Sequence, residues 1–502
     1  MKKISQLVKV QGVFLVLFLQ KGNEMKQVLR IWAVILVISV ICIRFFYASP
    51  FAATWDEVDF TLALKQYDIL AMQPHFPGYP LFILGGMITH IFIESPVQSL
   101  GIFNAIMALG AAFPMYWIAR HYVNKTSALI VVAVLQTSGY FSILVTQPMS
   151  EGAALAIVWW YIWSIERAFR TKRFQTQFWP ILFFALLMGI RLSYAPFGIV
   201  LILLLWQQWH EEKWRFIILF CTAVLSQLVW ISALIWNIGG ITGLLEISFG
   251  FVEGHFTEWG GAVTETSEPL ISRLYRLLSE NIVFAGIGIY SYYLVGFFFF
   301  FLFLFILQWK NIRCYPKVLI ALGIFYFLWN LLGQNIDKPR HSYPIVAMLL
   351  CVLAISWLKI HRGIILLLFA TSQLMMSIPL MKEQQVEVPA TYQLASYLEG
   401  KQQPFIVYTW EETRVMEYLQ MPYEHKRFYT YSYFLQDKKY HKNDNIYVTN
   451  HLIEGFQKQG INIEGQVEKE AVFYSNPLFD PVYHKIVLYK WKKDSVAKFI
   501  QE

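Results

Sequence analysis

Two adjacent carboxylates, Asp56 and Glu57, stand in the polar stretch Thr54 to Asp59, directly after the chain's first long apolar run. Paired acids at the edge of a membrane span are suited to proton or ion handling. Further ionisable residues recur at the edges of later apolar runs. They are His75, in His75-Phe76-Pro77-Gly78-Tyr79-Pro80-Leu81; Glu151, after Pro148-Met149-Ser150; Arg191, inside the run 178–209; and Lys338, Arg340 and His341 ahead of another run. The cations suit an anion, because a guanidinium offers a bidentate fork and keeps its charge at any physiological pH. The stretch Glu253-Gly254-His255-Phe256-Thr257-Glu258-Trp259 has a metal-like composition, but its glycines and aromatic pair equally suit a loop that covers a cleft.

Each of these residues has a purely structural alternative. Thr54 is a good helix N-cap and acids suit a first turn, so Asp56 and Glu57 could cap a helix over Val58 to Tyr67. Glu151 could start the next helix in the same way. Arg191 could snorkel to the interface, although a cation inside an apolar run is a functional hypothesis by default. Arg340 and His341 could anchor an interface, and His75 could be a turn residue held by its prolines.

The elements that must position these side chains are membrane spans. The 502 residues are 57% hydrophobic, 17% aromatic and 15% charged, against about 25% charged in soluble domains. A span takes about 20 mostly apolar residues. Eleven runs qualify, near 28–46, 98–119, 126–147, 150–166, 177–192, 195–209, 214–238, 282–308, 315–333, 342–358 and 362–380. The run Tyr79 to Ile93 is read as a surface helix because it is short. The run Phe178 to Trp209 is read as two spans because Gly189, Arg191 and Pro196 interrupt it. With these choices the clusters Arg120/Lys125, Arg167/Arg170/Lys172/Arg173, Lys213/Arg215, Lys310/Arg313/Lys317 and Lys359/Arg362 share the cytoplasmic side with the basic N-terminus. The net charge of +8 therefore reports topology and calls for no nucleic-acid partner. Four cysteines in or beside apolar runs form neither a disulfide framework nor a zinc site.

The outer face then receives the loops 47–97, 147–151, 239–281 and 333–341, which hold every candidate residue. Residues 1–27 form a cytoplasmic N-terminus whose natural start is expected at Met25. Residues 28–380 form the membrane module. From 381 to 502 the composition turns to Lys, Glu, Tyr and Asn, with strands expected at Pro404 to Thr409, Asn445 to Thr449 and Lys485 to Trp491 and helices between them. This part reads as a small external α/β domain.

An outer loop with Asp-Glu after the first span, a His/Pro-rich turn opening a surface helix, Glu151 in the second outer turn, and Lys338-Pro339-Arg340-His341-Ser342-Tyr343-Pro344 entering a late span together resemble the GT-C superfamily of membrane glycosyltransferases. The pattern is nearest its protein O-mannosyltransferase and lipid A aminoarabinose transferase branches. It departs from them at Phe60, where Tyr is usual, and at His341, which separates Arg340 from Tyr343. The resemblance implies an inverting glycosyltransferase that moves a sugar from a polyprenyl-phosphate donor to an acceptor hydroxyl of a glycan, lipid or protein at the outer face of a plasma membrane. It implies Asp56 as base with Glu57 beside it. Arg191, Lys338, Arg340 and His341 would receive the donor phosphate, and Glu151 and His75 would support the site or hold a divalent metal. His255, Glu258 and Trp259 would gate the cleft. A transporter or flippase, and a non-catalytic cell-envelope assembly protein, remain the alternatives. The former would place its charges at mid-membrane, usually within repeated halves.

Overall fold

The computed structural model describes residues 2–258, 260–265, 268–308 and 316–492, with side chains described from Glu24 onward. Trp259, Lys310, Arg313 and Cys314 fall outside these residues, and the expectation of a start at Met25 concerns residues 1–23, whose side chains are not described.

The apolar runs are helical. Helix α1 (Lys2–Phe46) enters the short α2 (Trp55–Ala63) and α3 (Pro80–His90), followed by α4 (Pro96–Tyr122), α5 (Lys125–Gln136), α6 (Gly139–Thr146) and α7 (Glu151–Thr171). Then come α8 (Phe178–Ile190), α9 (Gly198–Glu211), α10 (Lys213–Ile238), α11 (Ile241–Thr257), α12 (Leu270–Arg276), α13 (Tyr292–Leu307), α14 (Lys317–Gly333), α15 (Tyr343–Leu358) and α16 (Ile364–Val386). Among the described residues, six helices are long and apolar enough to cross a membrane, or eight if each of two bent pairs counts as one span. Helix α3 has 11 residues, about 16 Å at 1.5 Å per residue, which is half a hydrocarbon core. The run 178–209 breaks where Arg191 turns extended at φ −157° and a 3-10 turn containing Pro196 follows.

Two expected spans are not straight. The run 126–147 is the pair α5 and α6, bent by 59°. The run 282–308 is corrected more strongly. Its first part belongs to a π-helical segment, Leu277–Ile287, that continues α12, and α13 leaves at 110°. Ile289 and Tyr290 take left-handed φ values of 46° and 57° and turn the chain there. Apolar composition reports burial but not such a reversal.

Small side chains let the central helices approach closely. Ala105, Ala108 and Ala111 of α4 and Ala153, Ala154 and Ala156 of α7 are all fully buried, the small-residue interface expected where lipid offers no hydrophobic drive between helices. Helix α10 instead exposes Leu225, Val229 and Trp236, as a lipid-facing helix does.

The C-terminal domain adds α17 (Ala390–Glu399), α18 (Glu412–Tyr418), α19 (Tyr431–Lys438) and α20 (Asn450–Lys458) to five strands: β1 (Phe405–Thr409), β2 (Glu424–Arg427), β3 (Asn445–Thr449), β4 (Val467–Tyr474) and β5 (Lys485–Trp491). The sheet order is β2-β1-β3-β5-β4, with β1 parallel to both neighbours and β5 antiparallel to both of its own. Alternation along β1 sends Ile406 and Tyr408 into one core with Phe434 and Phe456, and Val407 into the other with Leu394 and Met416. Strands β1, β3 and β5 lie where the sequence places them, whereas polar β2 and β4 carry no comparable apolar signal. The domain is docked on the helical module. Val415 packs on Ala52, Val58 and Val97, the Thr391 hydroxyl donates to Ala53 O at 3.0 Å, and Gln147 Nε2 donates to Phe479 O at 2.7 Å.

Candidate functional site

Helix α2 begins with a reciprocal capping box. Thr54 Oγ1 accepts the Glu57 N–H at 3.3 Å, while Glu57 Oε2 accepts the N–H groups of Thr54 and Ala53 at 3.1 and 2.7 Å. Glu57, expected beside Asp56 in catalysis, is thus engaged in starting the helix, and its carboxylate makes no ion pair among the described residues. Burial pushes its carboxyl up to about 8, against those backbone bonds.

The capping box fixes α2 so that Asp56, 31% exposed, faces the segment 338–341. Arg340 Nη2 donates to Asp56 Oδ2 at 3.0 Å, and His75 Nε2 lies 3.8 Å from Asp56 Oδ1. Burial raises the Asp56 carboxyl, but His75, Lys338, Arg340 and Arg191 together outweigh it and hold the group well below the usual carboxylate range.

Glu151, 1% exposed at the start of α7, joins the two arginines. Its Oε1 is 2.9 Å from Arg340 Nε and 3.1 Å from Arg191 Nη2, and Arg191 Nη1 donates to Ser150 Oγ at 2.9 Å. The contacts with Glu151 are ion pairs without hydrogen-bond geometry. Both Glu151 oxygens and the Nε atoms of Arg191 and Arg340 are buried and without a hydrogen-bond partner. Buried polar groups are normally satisfied, so four such atoms in one cluster of side chains make it a candidate site for a polar ligand.

The Arg340 segment is held firmly. Pro339 opens a 3-10 turn, Tyr326 donates to His341 O at 3.1 Å, and Ser342 donates to Asn330 Oδ1 at 2.9 Å. Lys338 is half-buried and forms no ion pair among the described residues, while the His341 ring has a buried Nδ1 without a hydrogen-bond partner. Asp56, His75, Glu151, Arg191, Lys338, Arg340 and His341 therefore converge at the end of the helical module where the C-terminal domain is docked.

Two residues escaped the sequence reading. Asp59, fully buried one turn after Asp56, sits 3.0 Å from His75 Nδ1 and accepts from Arg414 Nε at 2.9 Å. Arg414 comes from α18 of the C-terminal domain and also donates to Met72 O at 3.1 Å. The i, i+3 spacing of Asp56 and Asp59 was a visible signal; a partner 355 residues away was not. Phe60 holds the His75 turn in place, with ring centroids 5.5 Å from His75 and 4.7 Å from Tyr79.

The region 239–281 is helical rather than a loop over much of its length. Helix α11 touches the His75 turn and the end of α14, through Phe251 packed on Phe76 at 5.1 Å and His255 Nε2 donating to Gly333 O at 2.7 Å. The exposed Glu258 ends α11 with its N–H on Gly254 O. Among the described residues no three His, Cys, Asp or Glu side chains are grouped to hold a metal ion. Asp56, Asp59 and Glu151 are each ion-paired with an arginine.

No protein-family model and no curated protein sequence matches the chain. Solved structures do. ArnT from Cupriavidus metallidurans bound to undecaprenyl phosphate superposes with a TM-score of 0.56 at 11% identity, covering 91% of this chain and 98% of that one. The same protein in the apo state gives 0.53 at 8% identity, covering 92% and 98%. An Archaeoglobus fulgidus oligosaccharyltransferase in complex with Zn and sulfate gives 0.46 at 12% identity, covering 88% and 72%. The chain shares its fold with ArnT along nearly its whole length.

Proposed function

We propose that this protein is a membrane glycosyltransferase that transfers a sugar from a polyprenyl-phosphate carrier to an acceptor hydroxyl, with inversion at the anomeric carbon. The observation that carries the reading is Arg340, whose guanidinium touches both Asp56 and Glu151 in a cleft with unsatisfied buried donors. Such a transfer needs a base at the acceptor and positive charge at the leaving phosphate, which departs as a stable anion and needs no acid. Asp56 receives the acceptor hydroxyl. Arg191 and Arg340, held side by side by Glu151, receive the phosphate with Lys338 and His341 nearby. An ArnT structure holds undecaprenyl phosphate, which supports a polyprenyl phosphate as the carrier here.

The positive-inside distribution supports a cytoplasmic N-terminus, about eleven crossings in the module 28–380, and a cleft and a domain 381–502 at the outer face of a plasma membrane. The acceptor is a glycan, lipid or protein hydroxyl reached from that side, and α11 with His255 and Glu258 covers the cleft. The charged candidates gather at one end of the module, which weighs against a flippase or transporter with a mid-membrane ion site.

Thermal unfolding of the detergent-solubilised protein with added undecaprenyl phosphate tests the phosphate cradle. The wild type gains stability by mass action as the lipid is titrated, and Arg340→Ala and Arg191→Ala lose that gain. Equal stabilisation of all three would place the lipid phosphate elsewhere.

A further inference from the structure

Asp56 has a difficulty as the only proton acceptor of this reaction. Its ion pair with Arg340 makes it an excellent hydrogen-bond acceptor for a hydroxyl but a weak resting place for a proton. A better place lies beside it. His75 Nε2 is 3.8 Å from Asp56 Oδ1 and 3.3 Å from the Tyr79 hydroxyl. The other ring nitrogen, Nδ1, is 3.0 Å from Asp59 Oδ2. Asp59 is fully buried, and its second oxygen accepts from Arg414 Nε at 2.9 Å. A buried carboxylate bound to Nδ1 fixes the proton there in the neutral ring, so the Nε2 lone pair points toward Asp56 and Tyr79.

We propose that His75 is the terminal proton acceptor of the transfer step and that Arg414, contributed by the C-terminal domain, is a positioning residue that holds the Asp59–His75 pair in register with Asp56. The inference rests on the glycosyl-transfer reading given above. As the acceptor oxygen bonds to the anomeric carbon, the bond from that carbon to the phosphate oxygen breaks and its electron pair leaves with the phosphate. The hydroxyl proton passes to Asp56 Oδ1 and then to His75 Nε2, 3.8 Å away in this structure. The imidazolium is held by Asp59 and returns its proton to solvent through the exposed edge of Asp56. The C-terminal domain is then a working part of the catalytic site, joined to it by a chain of charged groups.

The groups facing His75 are Asp56 and Asp59 from α2, Tyr79 at the start of α3, Lys338 from the segment before α15 and Arg414 from α18. Burial disfavours the imidazolium and Lys338 opposes it. The hydrogen bond to Asp59 and the charges of Asp56 and Asp59 outweigh both, so the His75 pKa stands above its ordinary 6.5. A base must be neutral to act, so kcat/KM should rise with pH through a midpoint above 6.5 and then level off.

The test uses the full-length protein in detergent or proteoliposomes, with a pH profile of sugar transfer and ¹⁵N-histidine NMR of the His75 ring. His75→Ala should lose about 100-fold in kcat/KM together with the rising limb, and added imidazole should restore part of the rate. Arg414→Gln should lower kcat with little change in donor KM, and Arg414→Lys should recover activity. The NMR spectrum should show a proton on Nδ1 in the wild type, with a titration that moves to lower pH in Asp59→Asn. A His75→Ala enzyme that keeps the wild-type pH profile and gains nothing from imidazole would overturn the inference while leaving the transferase reading intact. A wild type that transfers no sugar would fail the transferase reading, and the NMR arm would still decide this one: a proton on Nε2, or a titration unmoved by Asp59→Asn, overturns it.

Discussion

Two buried arginine sites in this molecule are built on opposite plans. Arg44, in the last turn of α1, is fully buried where α5 bends into α6, and its partners are neutral. Nη1 donates to Gln136 Oε1 at 2.7 Å, Nη2 to the Gln136 carbonyl and to Ser142 Oγ at 3.1 Å, and the guanidinium lies 4.5 Å over the Phe141 ring. Every one of these contacts ties a break in the helix to α1. Arg191 and Arg340 sit in a second buried site with Glu151 and Asp56, where charge is matched but both Nε atoms and both Glu151 oxygens lack hydrogen bonds. A satisfied buried cation rigidifies the fold; an unsatisfied one stores binding capacity for a ligand.

The sharpest way to break this contrast is at the unsatisfied site. Arg340→Ala should abolish measurable sugar transfer, with a loss of about 100-fold or more, while the protein still assembles in the membrane; the rate per milligram of purified protein checks it. Arg340→Lys should recover only a small part, because a point charge cannot reach Asp56 and Glu151 together. Glu151→Gln comes next. It leaves two buried guanidiniums facing each other without their shared anion, and removing one partner of a buried pair typically costs about 3–5 kcal/mol. Both thermal stability and donor KM should worsen, and a variant with only one of the two altered would show that Glu151 does not hold the arginines together.

At the satisfied site the pattern should invert. Arg44→Met should lower stability by about 1–3 kcal/mol, since the Gln136 carbonyl and Ser142 lose their buried donor, yet kcat per folded molecule should stay close to wild type. A normal melting temperature with lost turnover would move Arg44 into the catalytic machinery and collapse the comparison. The smallest effect belongs to Glu57. Glu57→Gln keeps an oxygen for the capping box and should be nearly silent, whereas Glu57→Ala should cost about 1 kcal/mol of stability with transfer retained.

These two sites also show what the sequence could convey. Asp56, Glu151, Arg191 and Arg340 were legible because each is an ionisable residue at the edge of an apolar run, where the cost of burial makes an accidental charge rare. Glu57 closes the capping box instead of joining the ion-paired cluster, because adjacency in sequence is not adjacency in space: on a helix the neighbour of Asp56 points elsewhere, and the residue three further on, Asp59, shares its face. Arg414 was invisible because it lies in a polar segment with no local sign of a partner on α2. Arg44, close to the polar end of its span, carries no local mark of the acceptors that the bend between α5 and α6 supplies. The reversal at Ile289 and Tyr290 left no trace either, since both residues continue an apolar run. Span positions and the β1, β3 and β5 strands follow from local periodicity; bends, polar edge strands and long-range ion pairs depend on tertiary packing.

The measurement that bears most directly on the central claim is sugar transfer from a radiolabelled polyprenyl-phosphate pool in membranes containing wild type or Asp56→Asn at matched protein levels. The account predicts transfer by the wild type and none above background by the variant. Equal transfer by both, or none by the wild type across several sugar donors, would contradict it.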